Sequence, residues 1–159
     1  MALGWCFRAR SLICSINGDD SFMSPKQFET FYWPSLRKVI RALINEGVMV
    51  VLLAEGSYQN RLNLNSEFPK DWVSWHFYRI DIVEAKKVIG NSCCIIGNVP
   101  SSIMITAAPA KVSAYCRDLI EKCAPNGGFI LAGGCMATES NPENFRAMMQ
   151  AAKDVGCCH

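Results

Sequence analysis

Apolar residues follow two alternating rhythms along most of this chain. Short unbroken runs of branched and aromatic residues are separated by longer stretches in which apolar residues return every three or four positions. The first rhythm is that of a strand buried on both faces, the second that of a helix with one apolar side. The strand-like runs are residues 48–54 (VMVVLLA), 72–77 (WVSWHF), 93–97 (CCIIG) and 127–133 (GGFILAG). Ser24-Pro25-Lys26-Gln27 is a capping box with proline at the first helical position, so a helix is predicted to start there. Pro34 is expected to divide it into a short piece and a longer one reaching about Asn45. In the longer piece Leu36, Val39, Ile40, Leu43 and Ile44 share a face, and Gly47 is placed to end it. Helices are also predicted over 81–90, stopped by Gly90, over the stretch opened by Pro109, and after Asn141-Pro142. The polar segment EGSYQNRLNLN is predicted to hold a short helix. Residues 1–22 show no clear period.

The order is therefore a helix followed by four strand–helix units. Such alternation predicts an α/β fold with a parallel sheet and right-handed crossovers. The pattern alone leaves an open doubly wound sheet and part of a barrel as alternatives. A full eight-unit barrel needs ~250 residues, and these 159 have room for about half of one.

Composition narrows the class of partner. Sixteen basic and 14 acidic residues give a net charge of +2, which offers no case for nucleic acid or an anionic membrane. The apolar stretches of the first twenty residues are broken by Arg8 and Arg10, unlike a signal peptide, and no run reaches the ~18 apolar residues of a membrane span. Nine cysteines are an odd number without a C-x-x-C pair. Several lie inside apolar runs or on helix faces, as Cys116 and Cys123 do beside Val112, Tyr115, Leu119 and Ile120. They read as small buried hydrophobes of a reduced, cytoplasmic protein.

Sites in parallel α/β folds form where strands end and the next loops begin. That rule selects Glu55 and Tyr58 after the first run, His76 and Arg79 at the end of the second, Asn98 after the third and Cys135 after the fourth. Glu55 is a candidate general base or acid, and its bland reading is a solvated loop carboxylate. His76, the only internal histidine, is a candidate proton carrier, or else a hydrogen-bonded core residue. Arg79 suits a carboxylate or phosphate, or an ion pair with Asp81 or Glu84. There is no nucleophile elbow, phosphate loop, H-E-x-x-H or dinucleotide fingerprint.

The segments FYWPSLRKVIRALINEGVMVVLLAEG, DIVEAKKVIG, IIGNVPSSI and GGFILAGG…NPENFRAM occur in the order found in the uroporphyrinogen decarboxylase family. The chain resembles that family from about Met23 to Gly156, with residues 1–22 poorly matched and 23–159 forming the matched region. Family members are (β/α)8 barrels, so the resemblance implies four strand–helix units forming the C-terminal half of a TIM barrel. It implies a tetrapyrrole carboxy-lyase without a cofactor or, as the alternative within the superfamily, a methyltransferase using zinc and a corrinoid protein. It also implies a small-molecule substrate, a tetrapyrrole or a methylated compound, and a missing barrel half or a homodimer to complete the fold. A non-catalytic half-barrel pairing with another chain is the remaining reading. If the chain is an enzyme of that family, the strand-end candidates line its cleft, with Glu55 and His76 as catalytic and Tyr58, Arg79, Asn98 and Cys135 as substrate-binding residues. The decarboxylases' Gly-His-Gly falls on Gly133, Gly134 and Cys135. The methyltransferases' His-x-Cys pair falls on Leu53 and Glu55, and their last cysteine on Gly134, or on Cys135 if the loop shifts by one. No metal is assigned; Cys135 with Glu55 and His76 is the one set that would surround an ion.

Overall fold

Ser24 opens the first helical turn as its capping box requires. Its hydroxyl accepts from the Gln27 amide, and the Gln27 side chain accepts in return from the Ser24 amide. In the computed structural model, which describes residues 10–14, 18–134 and 140–156, the helix does not break at Pro34. Turn α1 (Pro25–Gln27) runs through a π-helical turn, Phe28–Tyr32, into α2 (Trp33–Asn45). The Trp33 amide donates to the Phe28 carbonyl, five residues back. A widened turn of this kind removes the i to i−4 bond that proline cannot make, so the chain absorbs Pro34 without a new cap.

Five parallel strands follow one another in space as in sequence: β1 (Arg10–Cys14), β2 (Met49–Ala54), β3 (Val73–Phe77), β4 (Cys94–Val99) and β5 (Phe129–Gly133). Between them lie a 3-10 segment (Gln59–Ser66), α3 (Ile82–Ile89), α4 (Ser101–Thr106) and α5 (Pro109–Cys123), and α6 (Pro142–Val155) comes last. The expectation of four strands is corrected to five. β1 lies in the segment that shows no clear period. It is a short edge strand held by pairing with β2, from Arg10 opposite Met49 to Cys14 opposite Leu53, and such pairing leaves no local signal. Helix α4 was also not expected.

Register sorts the strand residues into two faces. Val50, Val73, Leu52, Trp75, Ala54, Phe77, Ile95 and Val99 lie on one face and are fully buried. They join Phe28, Trp33, Ile40, Ile82, Ala85, Ile89, Val112 and Cys116 from the helices in one core. The other face carries Leu12, Met49, Val51, Leu53, His76, Ile96 and Ile130, none of them buried; Leu12 is 65% and Ile130 50% exposed. This arrangement follows from the strand order. Right-handed crossovers between strands that never reverse direction across the sheet put every helix on the same side. That is the winding of a barrel wall rather than of a doubly wound sheet.

Candidate functional site

At the C-terminal ends of the strands, the loop after β1 is fixed by a residue far along the chain. Arg61 is 1% exposed. Its Nε donates to Asp20 Oδ1 at 3.0 Å, and its two terminal nitrogens donate to the carbonyls of Gly18 and Met23. Its guanidinium lies 4.3 Å from the centre of the Phe28 ring. Asp20 also accepts from the Ser57 hydroxyl at 3.1 Å and the Asn60 amide at 3.3 Å. A buried guanidinium needs this degree of satisfaction to be tolerated. The neighbouring Asp19 carboxylate accepts from the Ser21 hydroxyl and from the Ser21 and Phe22 amides, and the Ser21 hydroxyl, then these amides, hold its pKa below the usual value. Gly56, with φ +93°, brings the next loop against Asp19: a Cβ there would sit 2.1 Å from its carboxylate oxygen.

Against this frame the six candidate residues separate. Glu55 follows directly after β2 and is exposed, with no ion pair among the described residues. His76 lies on the uncovered face of β3, half-buried, and its Nε2 is 3.1 Å from the Gly133 carbonyl at the end of β5. A carbonyl only accepts, so Nε2 carries the proton in this contact and Nδ1 is the nitrogen left for chemistry. Arg79 is exposed, stands 6.0 Å from the Tyr78 ring centre, and makes no ion pair with Asp81 or Glu84. Asp81 instead caps α3 by accepting from the Glu84 amide at 3.0 Å.

Tyr58 and Asn98 stand elsewhere. Tyr58 is fully buried, 6.4 Å from Phe28 and 6.2 Å from Trp75 between ring centres, so it packs the core instead of facing a cleft. Asn98 is 7% exposed, and its amide donates to the Ile80 carbonyl at 2.9 Å and toward that of Tyr78 at 3.5 Å. Both protons are committed to the loop after β3. Cys135 lies outside the described residues.

The strand-end rule also picks Tyr78, after the second run, but the sequence gives it no role. Its ring lies over the Gly134 backbone, close enough that a Cβ on Gly134 would come within 2.7 Å of it. The place where a family side chain would project from residue 134 is filled by this ring. No periodic signal marks the pairing, because the two residues meet only when β3 and β5 are brought together.

The metal expected in the methyltransferase alternative does not fit the side chains. Leu53 is a hydrocarbon and Gly134 has no side chain, which leaves Glu55 alone of the three matched positions. A zinc site needs three or four nitrogen, sulfur or oxygen donors. Among the described residues no group of three His, Cys, Asp or Glu is arranged to hold an ion. The thiols that are described are protonated by burial. Burial pushes Cys93 and Cys116 up to about 11 and raises Cys94 and Cys123 as well, so they behave as small hydrophobes. No helix among the described residues is long and apolar enough to cross a membrane.

Comparison with known proteins adds three findings. The sequence model of the family described as Uroporphyrinogen decarboxylase (URO-D) matches residues 9–155, which takes in β1. Uroporphyrinogen decarboxylase of Trichodesmium erythraeum (strain IMS101) is 24% identical over 135 residues, 84% of this chain and 37% of that protein. A methyltransferase from Methanosarcina mazei superposes with a TM-score of 0.77 at 21% identity, covering 94% of this chain and 43% of that one. The chain thus spans about two fifths of the length of either relative.

Proposed function

The chain belongs to the uroporphyrinogen decarboxylase family, and from that premise we propose that it forms the C-terminal part of a (β/α)8 barrel whose cleft decarboxylates a tetrapyrrole. The remaining strand–helix units come from further polypeptide. The observation that carries this reading is the winding of the sheet: five parallel strands in sequential order, one face covered by helices and the other left open. Eight strands close a barrel with a filled interior, and five leave two edges and an uncovered face.

Within the proposed cleft, Arg79 supplies a guanidinium beyond the end of β3 for the acidic side chains of the substrate. His76, oriented through Nε2 by the Gly133 carbonyl, presents Nδ1 as the group that delivers a proton to a pyrrole carbon. The bond between the side-chain carbon and its carboxylate then breaks. The electron pair of that bond neutralises the protonated ring and carbon dioxide leaves; the exocyclic methylene left behind takes a proton from solvent as the ring carbon releases its own, which restores the pyrrole and leaves a methyl group. Glu55, exposed beside β2, is placed to return the proton to His76 through solvent. Tyr58 supports this cleft from the core behind it, and Asn98 holds the loop after β3 through the Ile80 and Tyr78 carbonyls. The corrinoid alternative keeps the same barrel and gives Glu55 or His76 the task of positioning a methyl acceptor, without a metal step.

The test is reconstitution. The chain is co-expressed with a polypeptide that supplies the first strand–helix units of the barrel, and the complex is given uroporphyrinogen or, separately, a methylated corrinoid protein and a thiol. Release of carbon dioxide, reduced about 10²–10⁴-fold by His76→Gln, is the expected outcome. Methyl transfer without decarboxylation would replace this reading with the alternative. Neither activity from an assembled barrel would leave a non-catalytic scaffold.

A further inference from the structure

The rim opposite the proposed cleft, where the strands begin, holds a separate cavity of about 420 Å³. It is framed by the loops that enter β3, β4 and β5 and by the C-terminal ends of α3 and α5. Four lysines line it, Lys70, Lys86, Lys87 and Lys122, against the single carboxylate of Asp71. The lining carries three more positive than negative charges, exceeding the +2 of the entire chain. Glu84 and Asp118, the partners of Lys87 and Lys122 just outside the lining, lower this local excess to one positive charge.

The partners of the four ammoniums differ. Lys87 meets Glu84 at 3.5 Å and Lys122 meets Asp118 at 2.8 Å, both within their own helices and both with side chains at least half exposed. Contacts of that kind are weak and leave most of the ammonium's field in solvent. Lys86 has no carboxylate partner among the described residues. Its ammonium donates to the Gly127 carbonyl and so stands in the loop before β5, 3.5 Å from where a Cβ on Gly128 would be. Lys70 has no ion pair among the described residues. Helix dipoles account for part of this pattern, because lysines favour helix C-termini. They do not account for Lys70, which lies on a loop, or for convergence on one concave surface. A concave surface of one sign concentrates counter-ions of the other.

We infer that this hollow is an anion site, and that its ligand is an oligophosphate, free or carried on a small molecule. The chemistry points to phosphate over carboxylate. The site has no arginine fork for planar bidentate pairing and offers point charges with freely rotating donors, which suit a compact, multiply charged anion. The volume takes a chain of two or three phosphates. All of its lining residues are in this chain, so the inference stands independently of the proposed reaction and of the missing strands.

Lysine protection reads the site residue by residue. The full chain is treated with a limiting amine-acetylating reagent at an ionic strength of about 0.15 M, where the Debye length is about 8 Å, with and without inorganic tripolyphosphate, and each lysine is quantified by mass spectrometry. Lys70, Lys86, Lys87 and Lys122 are expected to be protected by about fivefold or more, while Lys38, Lys111 and Lys153 are unchanged, since a bound polyanion shields only ammoniums within a Debye length. Lys70→Met, which breaks no hydrogen bond or ion pair among the described residues, is expected to lower the affinity for tripolyphosphate about tenfold and to weaken protection at the other three. A nucleoside triphosphate arm separates the sources. Equal protection means that the phosphate chain alone is recognised, and stronger protection means that it is carried on an ester. Uniform protection of all lysines, or none, or an unchanged affinity in Lys70→Met, would overturn the inference.

Discussion

Asn98 and Arg61 carry similar side-chain chemistry to candidate ligands, yet both are spent on the fold. Asn98→Ala removes both hydrogen bonds to the loop after β3 and leaves the Ile80 carbonyl without that donor. A loss of about 1–3 kcal/mol in urea unfolding is expected. Arg61→Leu strands Asp20 and two carbonyls, and about 3–5 kcal/mol is expected by the same measurement. The buried thiols give a pH signature. The folded state holds Cys93 and Cys116 protonated up to about 11, against an ordinary value of 9.0. Above pH 9 the unfolded chain loses these protons first. Stability is therefore fully present below that pH and falls as pH rises toward 11. Urea midpoints measured across this window are expected to decline, less steeply in Cys116→Ala. The cysteine reading was legible in the sequence, because Cys116 and Cys123 sit on the apolar face of a helix. The role of Asn98 was not, because its acceptors come from a different strand–helix unit.

Elements were legible where the signal is local. The caps at Ser24 and Asn141 stand where the sequence puts them, and Asp81, expected as part of the helix, caps α3 as well; each accepts from an amide two or three residues on. Ser24→Ala should cost about 1 kcal/mol, read as a lower thermal midpoint; no change would mean that the capping box contributes nothing beyond solvent. Two motifs shared with the family have structural explanations at this scale. In the segment that opens α6, Asn144 is fully buried and donates to the Met104 and Ala107 carbonyls at 2.9 Å each, locking α6 to α4. In β4, Gly97 has φ +131°, and a Cβ there would lie 2.7 Å from the Phe77 carbonyl. The family resemblance was thus carried partly by residues that set element geometry. Strand β1 and the π-helical passage past Pro34 were missed because an edge strand and a widened turn depend on neighbours, not on period.

At the scale of the molecule, an uncovered sheet face makes a physical demand. Leu12 and Ile130 stand exposed on that face at opposite edges, with Met49, Val51, Leu53 and Ile96 half-buried between them. The chain expressed alone is expected to bind a hydrophobic dye or to self-associate. Leu12→Lys combined with Ile130→Lys should reduce both, and the upstream strand–helix units should abolish both. A monodisperse monomer that excludes the dye would show that the open face is stable in water and would remove the need for a closing partner.

The sequence by itself determined the caps at Ser24 and Asn141, the positions of the four strands β2 to β5, the burial of the helical cysteines and the family, because each is written in short-range pattern or in aligned motifs; burial of those strands on both faces was expected and is corrected to one face. Only the tertiary structure decided that there is a fifth strand and that the sheet winds in one direction. It also showed that Tyr58 packs in the core, that Asn98 is tied to the loop after β3, that His76 Nε2 meets the Gly133 carbonyl, and that four lysines line one hollow at the opposite rim. Those are properties of residues distant in the chain and close in space, and periodicity carries no information about which of them will meet.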